Sequence, residues 1–280
     1  FDVTAPAVPL ADLGHVHLIA IGGAGMSAVA RLLLARGVTV SGSDAADSPT
    51  LEVLRSLGAR VHVGHDADHL TGVDTVVVSS AIRDDNLELA AARTMGLRVL
   101  HRSQALASLM AGSRRVAVAG ANGKTTTTSM LVVALEAAGA DPCFASGGEI
   151  AQLGTNAAIG SGDAFVVEAD ESDGSFLAYR PDVAVVTNVQ PDHLDYYGTA
   201  ERVEQAYTEF VSTVPADGLV VACWDDPGSR RLARAVRDRG RDVVTYGYRA
   251  GADLQVLSTE PDGLGTRSPF VVAGVERILD

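Results

Sequence analysis

Arg115-Val-Ala-Val-Ala-Gly120-Ala-Asn-Gly123-Lys124-Thr125-Thr-Thr-Thr128 is the stretch that decides how the remaining sequence is read. Val116–Ala119 is apolar and predicts a buried strand. The two glycines predict a tight loop, and Lys124–Ala138 a long helix. A strand that turns through glycines into a helix start leaves backbone N–H groups pointing outward, and these cradle phosphate. Lys124 would neutralise the outer phosphates, and the Thr125 hydroxyl would ligate Mg²⁺. The loop is short, with two residues between Gly120 and Gly123 where the common phosphate loop has four. Of the 22 basic residues, Lys124 is the only lysine. A compact ammonium enters a crowded phosphate pocket where a planar guanidinium does not fit, so this single departure from arginine carries weight.

Working outward, strands and helices alternate on both sides of the loop. Upstream, His15–Gly23, Val38–Ser41, Arg60–Val63, Asp74–Val78 and Arg98–Leu100 read as strands. Met26–Gly37, Thr50–Leu57, Leu87–Thr94 and Ser103–Met110 read as helices. Downstream, Phe165–Glu168, Val183–Thr187, Leu219–Ala222 and Asp242–Tyr246 read as strands, Glu201–Thr213 and Gly228–Arg239 as helices, and Asp253–Ile278 as a β-rich tail with turns at Pro261-Asp-Gly and Gly274. Alternation of this kind predicts an α/β chain with parallel sheets, in two domains meeting near Ala111–Arg115. The stretch Ser146–Gly162 is rich in glycine and is left without regular structure.

Composition narrows the function. The 280 residues carry a formal charge of −13, which argues against non-specific nucleic-acid binding. No apolar run reaches the length of a membrane span, and no signal peptide is legible, so a cytoplasmic protein with no membrane partner is expected. Two cysteines, Cys143 and Cys223, make neither a disulfide framework nor a four-ligand zinc site.

Three further motifs could carry chemistry. Gly23-Ala-Gly25-Met-Ser-Ala28 follows a strand and opens a helix, with Asp44 close to twenty residues on. That is the shape of a diphosphate-binding turn with a ribose-binding acid, and equally of a turn needing glycine only for packing. Glu168-Ala-Asp170-Glu171-Ser-Asp173 ends a strand in four carboxylates, where a nucleotide-bound Mg²⁺ would be held. Asn188-Val-Gln-Pro-Asp192-His193-Leu-Asp195 places a histidine at the end of another strand, suited to catalysis or a second metal. Ser79-Ser80 and Thr155-Asn156 are smaller signals of the same kind.

Taken together, Gly120–Thr127, Glu168–Phe176 and Thr187–Gly198 resemble the motifs of the Mur ligase family, the ATP-dependent amide-bond-forming enzymes of peptidoglycan precursor synthesis. Ile21–Ala30, Gly42–Asp44, Ser79–Ile82 and Gly147–Ala157 are similar to the pattern of its alanine-adding branch. The resemblance implies an N-terminal Rossmann-like UDP-sugar domain over residues 14–111 and a central P-loop-type ATPase domain over 112–280. It also implies a third domain for the incoming amino acid, with no counterpart in this sequence, so the chain alone is expected not to turn over. The implied substrates are UDP-N-acetylmuramate, L-alanine and ATP, with Mg²⁺ as cofactor; the oligomeric state is not implied.

By motif, Lys124, Glu171 and His193 take the catalytic positions, and Thr125, Glu171 and His193 the metal positions. Gly120, Ala121, Asn122, Gly123, Lys124, Thr125 and Thr126 take the ATP positions. Gly22, Gly23, Ala24, Gly25, Met26, Ser27, Asp44, Ser79, Thr155 and Asn156 take the UDP-sugar positions. Two departures matter. Asn122 stands where many alanine-adding members have histidine. The chain also has no lysine after Lys124, so the carbamylated lysine with which sister ligases hold a second metal is impossible here. Two competing readings are a nicotinamide-dinucleotide oxidoreductase built on Gly23–Ala28 and Asp44, and a UDP-sugar-binding fragment without chemistry.

Overall fold

Valine-rich runs set off by glycine turns form most of the parallel strands of this protein, and the computed structural model describes all of its residues except Thr4, Leu264 and Asp280. The chain divides into two compact units. The first comprises Phe1–Arg115, Thr128–Glu168 and Ser175–Tyr179; the second comprises Val116–Thr127, Ala169–Gly174 and the residues from Arg180 onward.

In chain order the first elements are β1 (Val16–Ile19), α1 (Ala24–Ala35), β2 (Val40–Asp44), α2 (Pro49–Ser56), β3 (Arg60–Val63), β4 (Thr75–Val78), α3 (Leu87–Thr94), β5 (Arg98–His101) and α4 (Arg102–Leu109). Their five strands pair in parallel in the order β3-β2-β1-β4-β5. The chain leaves β1 toward β2 on one side and later adds β4 on the other. The order therefore reverses at β1, and ligands of such sheets bind in the crevice beyond the strand ends at this reversal. Local chemistry sets the helix ends. Ser48 caps α2 by accepting from Leu51 N, with Pro49 at the first helical position. Asn86 caps α3 by accepting from the amides of Glu88 and Leu89 at 3.0 and 3.1 Å.

The next elements are β6 (Arg114–Ala119), α5 (Lys124–Ala137), β7 (Cys143–Ile150), β8 (Thr155–Ala158), β9 (Ala164–Glu168), β10 (Val183–Val186), α6 (Leu194–Tyr197), α7 (Ala200–Ser212), β11 (Leu219–Cys223), α8 (Pro227–Asp238), β12 (Val243–Gly247), β13 (Leu254–Val256), β14 (Glu260–Asp262), β15 (Gly265–Val272) and β16 (Val275–Leu279). In the first unit β9 pairs in parallel with β7, and β7 pairs antiparallel with β8, with a shift of register between Ala145 and Ile150. In the second unit β6, β10, β11, β12 and β13 lie side by side in parallel. β15 then runs antiparallel to β13 and is flanked by β14 and β16.

The α/β expectation holds, with antiparallel strands added where short turns join neighbours, since a tight hairpin cannot return a strand in parallel. The pair β7–β8 went unread. Glycine obscured the alternation there, yet it serves close approach of backbones: a Cβ on Gly160 or Gly162 would lie 2.0 Å from Asp141 O or 1.9 Å from Ala140 O. Helix α7 buries Val203, Ala206, Tyr207, Phe210 and Val211, one stripe of a 3.6-residue period.

The first unit also buries a carboxylate. Glu88, at the start of α3, is fully enclosed. Its Oε1 accepts from His69 Nδ1 at 2.8 Å and lies 3.5 Å from His17 Nε2; its Oε2 accepts from Ser43 Oγ at 2.5 Å and His65 Nδ1 at 3.0 Å. Burial pushes this carboxyl up, but the hydrogen bonds from His17, Ser43 and His69 outweigh burial and hold it down at about 2.

Candidate active site

The loop after β6 is shaped by its neighbours in the second unit. Gly120 has φ +143°, and a Cβ there would lie 2.0 Å from Thr187 Oγ1 and 3.0 Å from Asn188 N, so glycine is required at this point. Thr187 and Asn188, just past β10, clamp the loop. Thr187 Oγ1 and Asn188 Nδ2 donate to Asn122 O at 2.7 and 2.8 Å, and Asn122 N donates to Asn188 Oδ1 at 3.0 Å. Asn122 Nδ2 reaches Gln190 Oε1 at 3.5 Å. Gly123, at φ +84°, turns the chain into α5. Lys124 is the first residue of that helix, whose opening amides have no intrahelical acceptors. Ala121 is half-buried, and Thr125 and Thr126 are exposed at the helix start.

Lys124 Nζ donates to Gly120 O at 2.8 Å and to both oxygens of Glu171, at 2.8 and 3.1 Å. The lysine side chain is 14% exposed and the glutamate 1%. The backbone of Glu171 is itself fixed, because its carbonyl accepts from Tyr197 OH at 2.5 Å and Gly174 N at 3.0 Å. Burial, reinforced by neighbouring acids, pushes the hydroxyls of Tyr197 and Tyr207 well above the usual phenol range, so both stay protonated. Of the four strand-end acids, Glu171 reaches the lysine. Glu168 instead accepts from Gly147 N at 2.9 Å, within the first unit. His193 opens α6 in the left-handed region, at φ +51°, with its ring 4.0 Å from Asp192. A non-glycine residue in that region is under strain, and such strain collects at functional sites.

These donors suit a magnesium–nucleotide. Among the described residues no three His, Cys, Asp or Glu side chains converge as a metal site. Mg²⁺ keeps several waters and takes one or two carboxylates together with phosphate oxygens. One buried carboxylate bonded to Lys124, with the exposed Thr125 next in the chain, is a donor set of that kind.

The glycine turn lies in the first unit. Gly22 N donates to Asp44 Oδ2 at 2.9 Å, so one oxygen of the expected ribose acid closes the turn. Gly23 precedes α1 as its cap, and Ala24 and Gly25 open the helix. Ser27 is buried, its hydroxyl donates to Ala24 O at 3.0 Å and its amide to Gly23 O at 2.8 Å; Met26 is also buried. Asn156 Nδ2, on β8, donates to the same Ala24 O at 3.0 Å. The neighbouring Thr155 hydroxyl turns to Ala157 O. Ser79 follows β4, beside the end of β1, and its carbonyl accepts from Ile82 N.

One group at this turn, Arg102, was missed. A Cβ on Gly25 would lie 2.1 Å from Arg102 Nη1, so an arginine lies over the helix start. Ser80 Oγ contacts His101 Nε2 at 3.1 Å. Arg102 had a legible signal. A cation in the first turn of a helix opposes the helix dipole and therefore asks for another reason to be there.

The sequence model of the Mur ligase family catalytic domain matches residues 15–114, and that of the Mur ligase middle domain matches residues 118–272. The UDP-N-acetylmuramate–L-alanine ligase of Renibacterium salmoninarum is 59% identical over 274 residues, covering 98% of this chain and 58% of that protein. Two solved structures, each 29% identical, share the fold. One is the UDP-N-acetylmuramate:L-alanyl-gamma-D-glutamyl-meso-diaminopimelate ligase from Neisseria meningitides, with TM-score 0.82 over 94% of this chain and 86% of that one. The other is the UDP-N-acetylmuramate-alanine ligase MurC from Thermotoga maritima, with TM-score 0.81 over 95% of this chain and 60% of that one. The chain thus spans about 58% of the length of the Renibacterium relative.

Proposed function

The chain belongs to the Mur ligase family, and from that premise we propose that it is the UDP-sugar- and ATP-binding part of a ligase joining L-alanine to UDP-N-acetylmuramate. The supporting observation is the placement of the only lysine, with Nζ 2.8 Å from the loop carbonyl of Gly120 and 2.8 Å from Glu171. The division into a sugar domain, 14–111, and an ATP domain, 112–280, is part of this proposal. So is a cytoplasmic location; among the described residues no helix is long and apolar enough to cross a membrane. The alanine-adding reading is preferred to the tripeptide-adding one because identity to the Renibacterium ligase is 59%, against 29% for the Neisseria enzyme.

In the whole protein, the lactyl carboxylate of the sugar would take the γ-phosphoryl group of ATP, releasing ADP. The alanine amine would then displace phosphate from the acyl phosphate, losing a proton. A carboxylate alone has only oxide to lose and does not acylate an amine at neutral pH. Bound Mg²⁺ would supply positive charge to the phosphate oxygens. The chain's residues do the rest. The loop amides of residue 121 and residues 123–126 hold and orient phosphate, while the Asn122 amide is spent on the clamp that Thr187 and Asn188 form. Lys124 offsets the repulsion between carboxylate and triphosphate, which for two unit charges 4 Å apart is about 4 kcal/mol at an effective dielectric of ~20. Thr125, Glu171 and His193 offer oxygen and nitrogen donors to metal. The N-terminus of α1, with Gly22–Ser27, faces the diphosphate of the sugar nucleotide. Asp44, Ser79, Thr155 and Asn156 border it.

The test is Lys124→Ala in the whole protein. Acyl-phosphate formation should be abolished while affinity for UDP-N-acetylmuramate stays within about threefold. Equal loss of both would overturn the two-site assignment, and calorimetric binding of NAD by the chain would favour the oxidoreductase reading.

A further inference from the structure

Lys124 and Glu171 occupy each other. The ammonium that would grip phosphate is bonded to both oxygens of the carboxylate that would hold metal, and that carboxylate is almost entirely out of solvent. We propose that this ion pair is a latch that makes uptake of metal and of nucleotide at the site mutually dependent. The inference rests on the ATP-site reading given above and adds to it a rule of occupancy.

The physical argument is one of paired charges. Metal-free ATP can engage Lys124 only by drawing Nζ away from Glu171. That strips a buried carboxylate of its counter-charge and sets it beside phosphate anions. The Glu171 backbone is held through its carbonyl by Tyr197 OH and Gly174 N and its side chain is 1% exposed, so the carboxylate has no solvent beside it to take the place of the ammonium. A divalent cation alone meets the reverse difficulty. It can take Glu171 only by releasing Lys124, whose ammonium then faces a second cation while bonded to the Gly120 carbonyl, a neutral partner. When metal and nucleotide arrive together, one ion pair is exchanged for two, Lys124 with phosphate and Glu171 with metal. No charge is then left alone. Each ligand raises the affinity for the other, and the coupling is reciprocal.

The experiment is calorimetry on the chain with ATP in EDTA and with ATP–Mg²⁺, for the parent and for Glu171→Gln. Removing the anionic partner should raise affinity for metal-free ATP at least tenfold, about 1.4 kcal/mol. The ratio of magnesium-dependent to metal-free affinity should fall by a similar factor. A metal-free affinity within twofold of the parent would overturn the latch. The reciprocal variant, Lys124→Met, should bind Mn²⁺ alone at least tenfold more tightly than the parent by electron paramagnetic resonance, and unchanged Mn²⁺ affinity would overturn the latch equally. If circular dichroism shows that Glu171→Gln does not fold, the Mn²⁺ titration decides. A parent chain that binds neither ATP nor ATP–Mg²⁺ overturns the nucleotide-site reading, and the latch with it. Binding with unaltered variant ratios overturns the latch alone.

Discussion

Gly120 holds a backbone angle of +143° against Thr187, and the loop has no room there for a methyl group. Gly120→Ala should therefore cost about 2–3 kcal/mol, from the strained angle together with displacement of Thr187. It should also weaken ATP–Mg²⁺ binding at least tenfold, because Thr187 holds the Asn122 carbonyl. Urea melts and calorimetry check both, and a variant as stable as its parent would show that the loop relaxes freely. Residues of this kind were half-legible in sequence. The glycine and lysine spacing marked the loop, but Thr187 and Asn188 lie more than sixty positions away, and nothing local reports which distant hydroxyl crowds a glycine. The choice of Glu171 among four acids came from family resemblance. In the structure, chain direction after β9 sends Glu171 to Lys124 and Glu168 to Gly147.

At the level of elements, the Glu88 carboxylate ties the start of α3 to β1, to β2 and to the segment carrying His65 and His69. Its folded value of about 2 lies below the ordinary 4.5. The stability it contributes is thus fully present above about pH 4.5 and is lost as pH falls toward 2. The shift corresponds to about 3 kcal/mol. His62, stacked on His69 at 3.9 Å between ring centres, is lowered too, which for a base disfavours the charged form. Burial, then the neighbouring His69, lowers it from 6.5. Protonation favours the unfolded chain, so stability declines as pH falls below 6.5. Denaturant melts should show a shallow decline beginning near pH 6.5 and a steeper one below 4.5, and Glu88→Gln should flatten the lower limb. An acid limb unchanged in that variant would remove Glu88 as its cause. Strand and helix positions were legible because their periodicities are strong, whereas this network was not. Its histidines look like scattered polar residues until β1, β2 and α3 are stacked.

For the molecule as a whole, the two proposed ligand sites on separate elements predict two separate footprints in hydrogen exchange. UDP-N-acetylmuramate should slow exchange at residues 22–27, and ATP–Mg²⁺ at residues 120–126. Protection of 22–27 by ATP–Mg²⁺ alone would reverse the assignment. The formal charge of −13 sets a whole-chain condition on both. On the proposed reading, an acidic protein that takes two polyanions must concentrate its cations locally, and the single lysine and Arg102 would meet that need.

What the amino-acid order determined by itself was the kind of chain this is: alternating elements, a glycine loop leading into a helix at the only lysine, and a glycine turn ahead of α1. Those features rest on periodicity and on glycine's conformational freedom, which act over a few residues. Tertiary structure alone decided which acid faces Lys124, which hydroxyl and amide clamp its loop, and that glycine-rich residues 143–158 pair as β7 and β8. Those outcomes depend on distances between segments far apart in the chain, and only packing sets such distances.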